Sequence, residues 1–230
     1  LESRAFGASK GATAEFRKME WTIIDPATNK LYMTMTEITE TMADKEGDIQ
    51  VDENPCGIVY TADLDASFNM SALKPLIIGG PFNAEGGKNK CDVNNIAEPD
   101  GLTVDARGRL WIAEDTGLHE NNVLWAYDAK DGSLKRFATL PIGAEVTGAY
   151  VAKDGTLFFN VQHPSAKALY PYNSSVVGVV TGFNANTDDF EPVAVPEGDA
   201  KKTATVAAGS YQTLGRAGDR IHGSRKGPDR

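Results

Sequence analysis

Gly101-Leu-Thr-Val-Asp-Ala-Arg-Gly-Arg-Leu-Trp-Ile-Ala113 is the stretch that decides the fold. Two short β-rich runs flank a turn built on Asp105 and Gly108, the pattern of a tight hairpin. Trp21-Thr-Ile-Ile-Asp-Pro-Ala-Thr-Asn-Lys-Leu-Tyr-Met-Thr-Met35 repeats the design, with Asp25 where Asp105 stands. Gly148-Ala-Tyr-Val-Ala-Lys-Asp-Gly-Thr-Leu-Phe-Phe-Asn160 repeats it again, turning at Asp154-Gly155. Internal repetition of this kind governs the fold assignment.

Each hairpin is followed by a second, longer one. Gly57–Asp65 leads to Leu73–Ile78, Asn122–Asp128 leads through Asp131-Gly132 to Leu134–Thr139, and Val176–Asn184 leads to Phe190–Val195. Four strands per unit, repeated, is the signature of β-propeller blades. The reading is an all-β chain with about three four-stranded blades, at about 16–80, 97–141 and 144–196, and with Trp21, Trp111 and Phe159 on the inner hairpins. A propeller needs about four to eight blades to close. Three leave strand edges open, so further chain or a partner polypeptide is expected to complete the ring. Residues 1–196 form the partial propeller and 197–230 a terminal strand segment and flexible basic tail, the tail running from Gly215. Two polar inserts, Glu37–Pro55 and Gly80–Ala97, read as functional or disordered loops.

The 230 residues carry a formal net charge of −9. That balance argues against electrostatic binding to nucleic acid or anionic lipid and suits a protein that gathers cations. No apolar run approaches the roughly 20 residues of a transmembrane helix. Leu1 is not a start methionine, and no signal pattern follows it, so the chain reads as a processed or partial product. Cys56 and Cys91 lack metal-site spacing. They read equally as two free thiols or as a disulfide stapling two loops, which would imply an oxidising compartment. Asn69-Met70-Ser71 and Asn173-Ser174-Ser175 fit the glycosylation sequon, a pattern too short to decide anything.

The innermost strands open with Glu20, Asp100 and Glu145, and second strands end in Thr36-Glu37, Glu114-Asp115 and Gln162-His163. The hairpin geometry gathers these ends at one face. Carboxylates gathered there repel one another unless protons or cations offset them. Hard cations such as calcium take such oxygens, and multi-metal centres suit phosphoryl transfer. Singly, each acid also reads as a turn residue or a solvated strand end, as Asp100 does within Glu98-Pro99-Asp100-Gly101. The repetition at equivalent positions is what carries the metal reading. Arg17 and Lys18, just ahead of Glu20, read either as charge balance or as an anion clamp for phosphate. His119, Glu120, Asn121 and Asn122 read as a plain polar turn in preference to outer metal ligands. No P-loop, GxGxxG, HExxH or GxSxG motif is present.

Phe16-Arg-Lys-Met-Glu-Trp21 with Asp25-Pro26 and Lys30–Thr34, Glu98-Pro-Asp-Gly-Leu-Thr-Val-Asp105 with Gly108–Ile112, and Glu145–Gly148 with Leu157–Pro164 together resemble the C-terminal half of the PhoX-type alkaline phosphatases. The resemblance covers roughly residues 10 to 196. It implies a β-propeller that hydrolyses phosphomonoesters with calcium and iron in a carboxylate-rich centre, usually outside the cytoplasm. Glu20, Asp100 and Glu145 match the family's acidic positions at the metal site, and Arg17 and Lys18 fall beside its phosphate-contacting basic position. The family's N-terminal half, with its iron-binding cysteine, has no counterpart here, and neither Cys56 nor Cys91 lies in a matching motif. The expectation is therefore a metal-dependent phosphomonoester hydrolase of the PhoX type or a fragment of one. The alternative is a non-catalytic propeller serving as a binding or structural subunit.

Overall fold

The turns between paired strands are built by the same side chain each time. Asp25 Oδ1 accepts the Ala27 N–H at 2.9 Å, Asp105 Oδ1 accepts that of Arg107 at 2.9 Å, and Asp154 Oδ1 accepts that of Thr156 at 3.0 Å. A short acidic side chain folding back on the backbone two residues ahead is what makes aspartate a turn former. In the computed structural model, which describes residues 2–220, these turns join antiparallel strands.

The strands are β1 (Met19–Asp25), β2 (Lys30–Met35), β3 (Ile58–Asp63), β4 (Lys74–Ile78), β5 (Pro99–Val104), β6 (Leu110–Glu114), β7 (Val123–Asp128), β8 (Ser133–Thr139), β9 (Glu145–Val151), β10 (Leu157–Gln162), β11 (Val176–Thr181), β12 (Thr205–Val206) and β13 (Ser210–Arg216). They form three sheets, ordered β1-β2-β3-β4, β12-β8-β7-β6-β5 and β13-β11-β10-β9. Trp21, Trp111 and Phe159 fall on β1, β6 and β10, as the repeats require. One short exposed helix, α1 (Ser3–Ser9), precedes them.

The fourth strand of the last sheet differs from expectation. Phe190–Val195 is not a strand, and β13 pairs with β11 in its place, Val179 opposite Gln212. Phe190 is buried instead, its ring 5.0 Å from that of Phe137. Phe190 alone of segment 190–195 enters the core, and pairing falls to Ser210–Arg216, two residues of which lie in the stretch read as a tail. The last ten residues of that tail, 221–230, lie outside the described residues. The short β12 adds a fifth strand beside β8.

The chain divides into two units, residues 1–104 with 112–120, and residues 105–111 with 121–230. In the first, Met35, Ile38, Met42, Ile58 and Tyr60 make one apolar cluster, and Cys56, Cys91 and Ala97 make another. Neither polar insert is loose. Segment 37–55 is fastened by the Ile38–Asn54 bridge and by Glu15, whose carboxylate accepts the N–H groups of Asp48 and Ile49 at 3.0 and 2.6 Å. Those bonds hold the Glu15 carboxyl below its ordinary range. Segment 80–97 is fastened by the Phe82–Cys91 bridge and by a Cys56–Cys91 disulfide. The stapled-loop reading of the two cysteines is therefore the one realised.

The second unit is cored by aromatic rings. Phe137 and Phe183 approach to 4.9 Å between centroids, and Trp111 meets Phe137 edge-on at 5.0 Å. Asp105 is buried beneath them. Its Oδ2 accepts from Arg109 Nε at 2.8 Å and from Trp111 Nε1 at 3.0 Å. A buried carboxylate without such donors would be costly.

Candidate functional site

Glu20 and Asp100 are delivered by the same local device. Two residues ahead of each, the backbone is left-handed at a non-glycine residue, Lys18 at φ 51° and Glu98 at φ 43°. Gly143 holds φ 74° two residues ahead of Glu145. A side-chain-bearing residue in this region is uncommon and is kept only where its surroundings over-determine it. Lys18 O accepts the Thr36 N–H at 3.0 Å, and Glu98 O accepts that of Asp115 at 3.4 Å. Thr36 and Asp115 each directly follow the second strand of a hairpin, so the two lead-ins are tied down alike. Glu20 and Asp100 are thus reached through equivalent lead-ins.

Glu20 also sits in a β-bulge. Met19 faces Met35 and Thr22 faces Met33, so Glu20 and Trp21 together oppose Thr34. The buried Thr34 hydroxyl fills the gap, accepting the Trp21 N–H at 2.9 Å and donating to Asp100 O at 2.6 Å. Bulges re-aim a side chain beside functional sites. Here the bulge and the start of β5 share one hydroxyl.

The electrostatics follow from this crowding. Burial, then the nearby Glu20 and Asp115 carboxylates, push the Asp100 carboxyl up to about 6, against the opposing pull of Lys18. Burial also raises Glu98, with Glu37 and Asp115 adding to it and hydrogen bonds from Thr116 and Gly117 opposing it. Lys18 Nζ lies 3.9 Å from Glu20 Oε1, a loose pair on an exposed side chain. Arg17 is more committed: it contacts Glu37 at 3.0 Å and Glu40 at 3.3 Å, while its buried Nε has no hydrogen-bond partner.

The first unit therefore brings together Lys18, Glu20, Asp100, Glu37 and Asp115 of the expected residues, and adds Glu98. Glu145 opens β9 in the second unit, where its Oε2 accepts from Gln162 Nε2 at 3.2 Å. His163 is itself left-handed at φ 50°, its N–H donating to Ser175 Oγ at 3.2 Å. The polar turn after β6 is structural. His119 Nδ1 lies 3.1 Å from Glu114 Oε2 and its Nε2 lies 3.2 Å from Asp92 O, while Asn121 donates to Leu140 O at 2.6 Å. The part played by Glu98 escaped the sequence reading, because a left-handed glutamate before proline carries no compositional signal.

The donor set is hard oxygen of net negative charge, which suits calcium better than softer metals in kind. In number it is incomplete: among the described residues, no three His, Cys, Asp or Glu side chains converge tightly enough to hold an ion. Glu20 and Asp100 do not by themselves make a complete coordination shell.

The family described as alkaline phosphatase PhoX matches residues 1–165. A solved structure, Pseudomonas fluorescens PhoX in complex with vanadate, a transition state analogue, is similar over 74% of this chain, at 28% identity and a TM-score of 0.59. The match spans 33% of that protein, so the chain corresponds to about a third of its length. No curated protein matches.

Proposed function

The chain belongs to the PhoX alkaline phosphatase family, and on that premise we propose that it supplies part of the metal- and phosphate-binding face of a phosphomonoester hydrolase. The observation that carries this is the paired lead-in: Lys18-x-Glu20 and Glu98-x-Asp100 present two acids and a cation from equivalent left-handed turns. Its sheets are three blades of a propeller that further chain or a partner completes, with Glu145 taking the same role from the start of β9.

In this reading Glu20, Asp100 and Glu145 hold metal, calcium and iron by family resemblance. Bound cations would offset the carboxylates and stabilise charge on a transferring phosphoryl group. The protein's own residues do the rest. The rise of Asp100 to about 6 means that the carboxyl is reluctant to ionise without a cation beside it. Lys18, loosely paired and exposed, is free to swing to a phosphate oxygen, and a cation placed there orients and neutralises the substrate. Arg17, engaged by Glu37 and Glu40, mainly steadies the lead-in to β1. Extracytoplasmic placement is the companion proposal, supported by the disulfide, since such bonds persist in oxidising compartments.

The test is turnover of a chromogenic phosphomonoester by the whole protein, with calcium and iron supplied. Hydrolysis that chelation abolishes supports the reading. A metal-replete protein with no turnover would leave only a binding or structural role.

A further inference from the structure

The Cys56–Cys91 disulfide closes a ring that runs through Glu98. The Glu98 N–H donates to Cys56 O at 2.9 Å. Cys56 is bonded to Cys91, whose N–H donates to Leu118 O at 3.3 Å. The Leu118 N–H donates to Thr116 Oγ1 at 2.8 Å, and that hydroxyl donates to Glu98 Oε2 at 2.5 Å, completing the circuit. Two cross-braces stiffen it. Gly117 N–H reaches the same Glu98 oxygen at 3.1 Å, and Lys90 N–H reaches Leu118 O at 2.9 Å. Inside the ring, Cys56, Cys91 and Ala97 are almost completely buried and pack against Leu118.

This ring holds a residue that would not stay where it is unaided. A glutamate at φ 43° is in a backbone region that residues with a side chain rarely adopt. Glu98 is fixed there from its N–H, its carbonyl and its carboxylate at once, and Asp100 follows two residues later. The corresponding turn at Lys18 has no disulfide near it, and the one before Glu145 uses glycine. Only the Asp100 lead-in is covalently braced.

We infer that the Cys56–Cys91 disulfide and Glu98 form a positioning brace that sets the aim of Asp100, making the metal-binding face sensitive to reduction. The inference rests on the reading of Asp100 as a metal ligand. Glu98 acts here as an acceptor for Thr116 and Gly117, and the disulfide anchors both of the chain segments those contacts join. Reduction leaves the strand pairing of β1 to β4 in place but releases the loop 80–97 from Cys56, and with it one side of the ring. Reduction is ordinary thiol–disulfide exchange: an added dithiol is oxidised to its cyclic disulfide as Cys56 and Cys91 become thiols.

The experiment is calcium titration by calorimetry on the whole protein, oxidised and then reduced with a dithiol under native conditions, thiol count confirmed by mass, sheet content followed by circular dichroism. Outer contacts to a metal ligand affect affinity by about 10- to 100-fold, and a loss of that size on reduction, with sheet content kept, is the expected result. A second pair of variants decides the matter if the reduced protein unfolds. With the disulfide intact, Glu98→Ala should weaken calcium by a similar factor, whereas Glu98→Gln, which keeps the acceptor oxygen, should bind within about threefold of the parent. Calcium binding unchanged by reduction, or by Glu98→Ala, overturns the brace. So does a Glu98→Gln loss as large as that of Glu98→Ala, which would make Glu98 itself a ligand. Asp100→Asn serves as the reference: if it leaves calcium binding intact, the metal-site reading fails, and if it alone weakens binding, only the brace fails.

Discussion

The Thr34 hydroxyl donates to the main-chain oxygen of Asp100 at 2.6 Å, joining the end of one hairpin to the start of the next strand bearing an acid. It also accepts from Trp21 N–H, in the bulge that carries Glu20. One buried hydroxyl thus sets both acids. Sequence alone shows two acids at equivalent places in a repeat; it does not show that their spacing is pinned by a threonine.

Replacing that hydroxyl gives the first prediction. Thr34→Val keeps the shape and leaves a part-buried N–H and C=O without their hydroxyl partner, at a cost of about 1 kcal/mol. Urea unfolding should register the loss, and Thr34→Ser should recover most of it. An unchanged midpoint for Thr34→Val would mean that the hydroxyl bridges nothing of consequence.

Asp100 predicts a pH dependence with a definite sign. Its folded carboxyl is raised from 3.8 to about 6, so the folded state holds its proton more tightly than the unfolded chain. Its contribution to stability is present at low pH and is lost as pH rises through about 6. In chelator-treated protein, Asp100→Asn should therefore stabilise at pH 7 and do little at pH 4, conditions chosen on either side of roughly that window. The gain is about 1 kcal/mol, discounted because the group is only half-buried. Thermal melts at the two pH values check it.

Gly57 is a backbone requirement. It holds φ 75°, and a Cβ there would lie 2.3 Å from Thr36 O and 2.6 Å from Met35 O. Neither carbonyl can retreat without breaking the register of β2 and β3. Gly57→Ala should cost about 2 kcal/mol or more, read from denaturant midpoints.

Lys18 and Arg17 should separate. Lys18→Ala is expected to raise KM about tenfold or more for a phosphomonoester, with metal content retained, because the role proposed for Lys18 is to contact substrate. Arg17→Ala should mainly lower stability, since its partners are Glu37 and Glu40. Steady-state kinetics alongside elemental analysis distinguishes them, and equal KM effects would contradict the assignment.

The hairpins were legible because each uses an aspartate turn between alternating runs, and Asp25, Asp105 and Asp154 all fold back as such turns do. The last sheet differs at Phe190–Val195 because one aromatic ring, Phe190, is drawn into the core while the rest of the run stays nearer the surface and forms no strand. Residues 210–216, bearing glycine and arginine, gave a weaker strand signal yet found the open edge of β11. At the site, the acids were visible as a repeat. The left-handed Glu98, the bulge at Glu20 and the choice between thiols and a disulfide depend on contacts distant in sequence, which spacing does not encode.

The central claim is that Glu20 and Asp100 hold metal for phosphoester hydrolysis. The direct measurement is metal content per chain and turnover of a chromogenic phosphomonoester, taken on the same preparations of the parent, Glu20→Gln and Asp100→Asn. A carboxylate ligand has no uncharged equivalent of equal strength, so bound metal and turnover should fall together in both variants. Full metal content and undiminished turnover in either one would contradict the account.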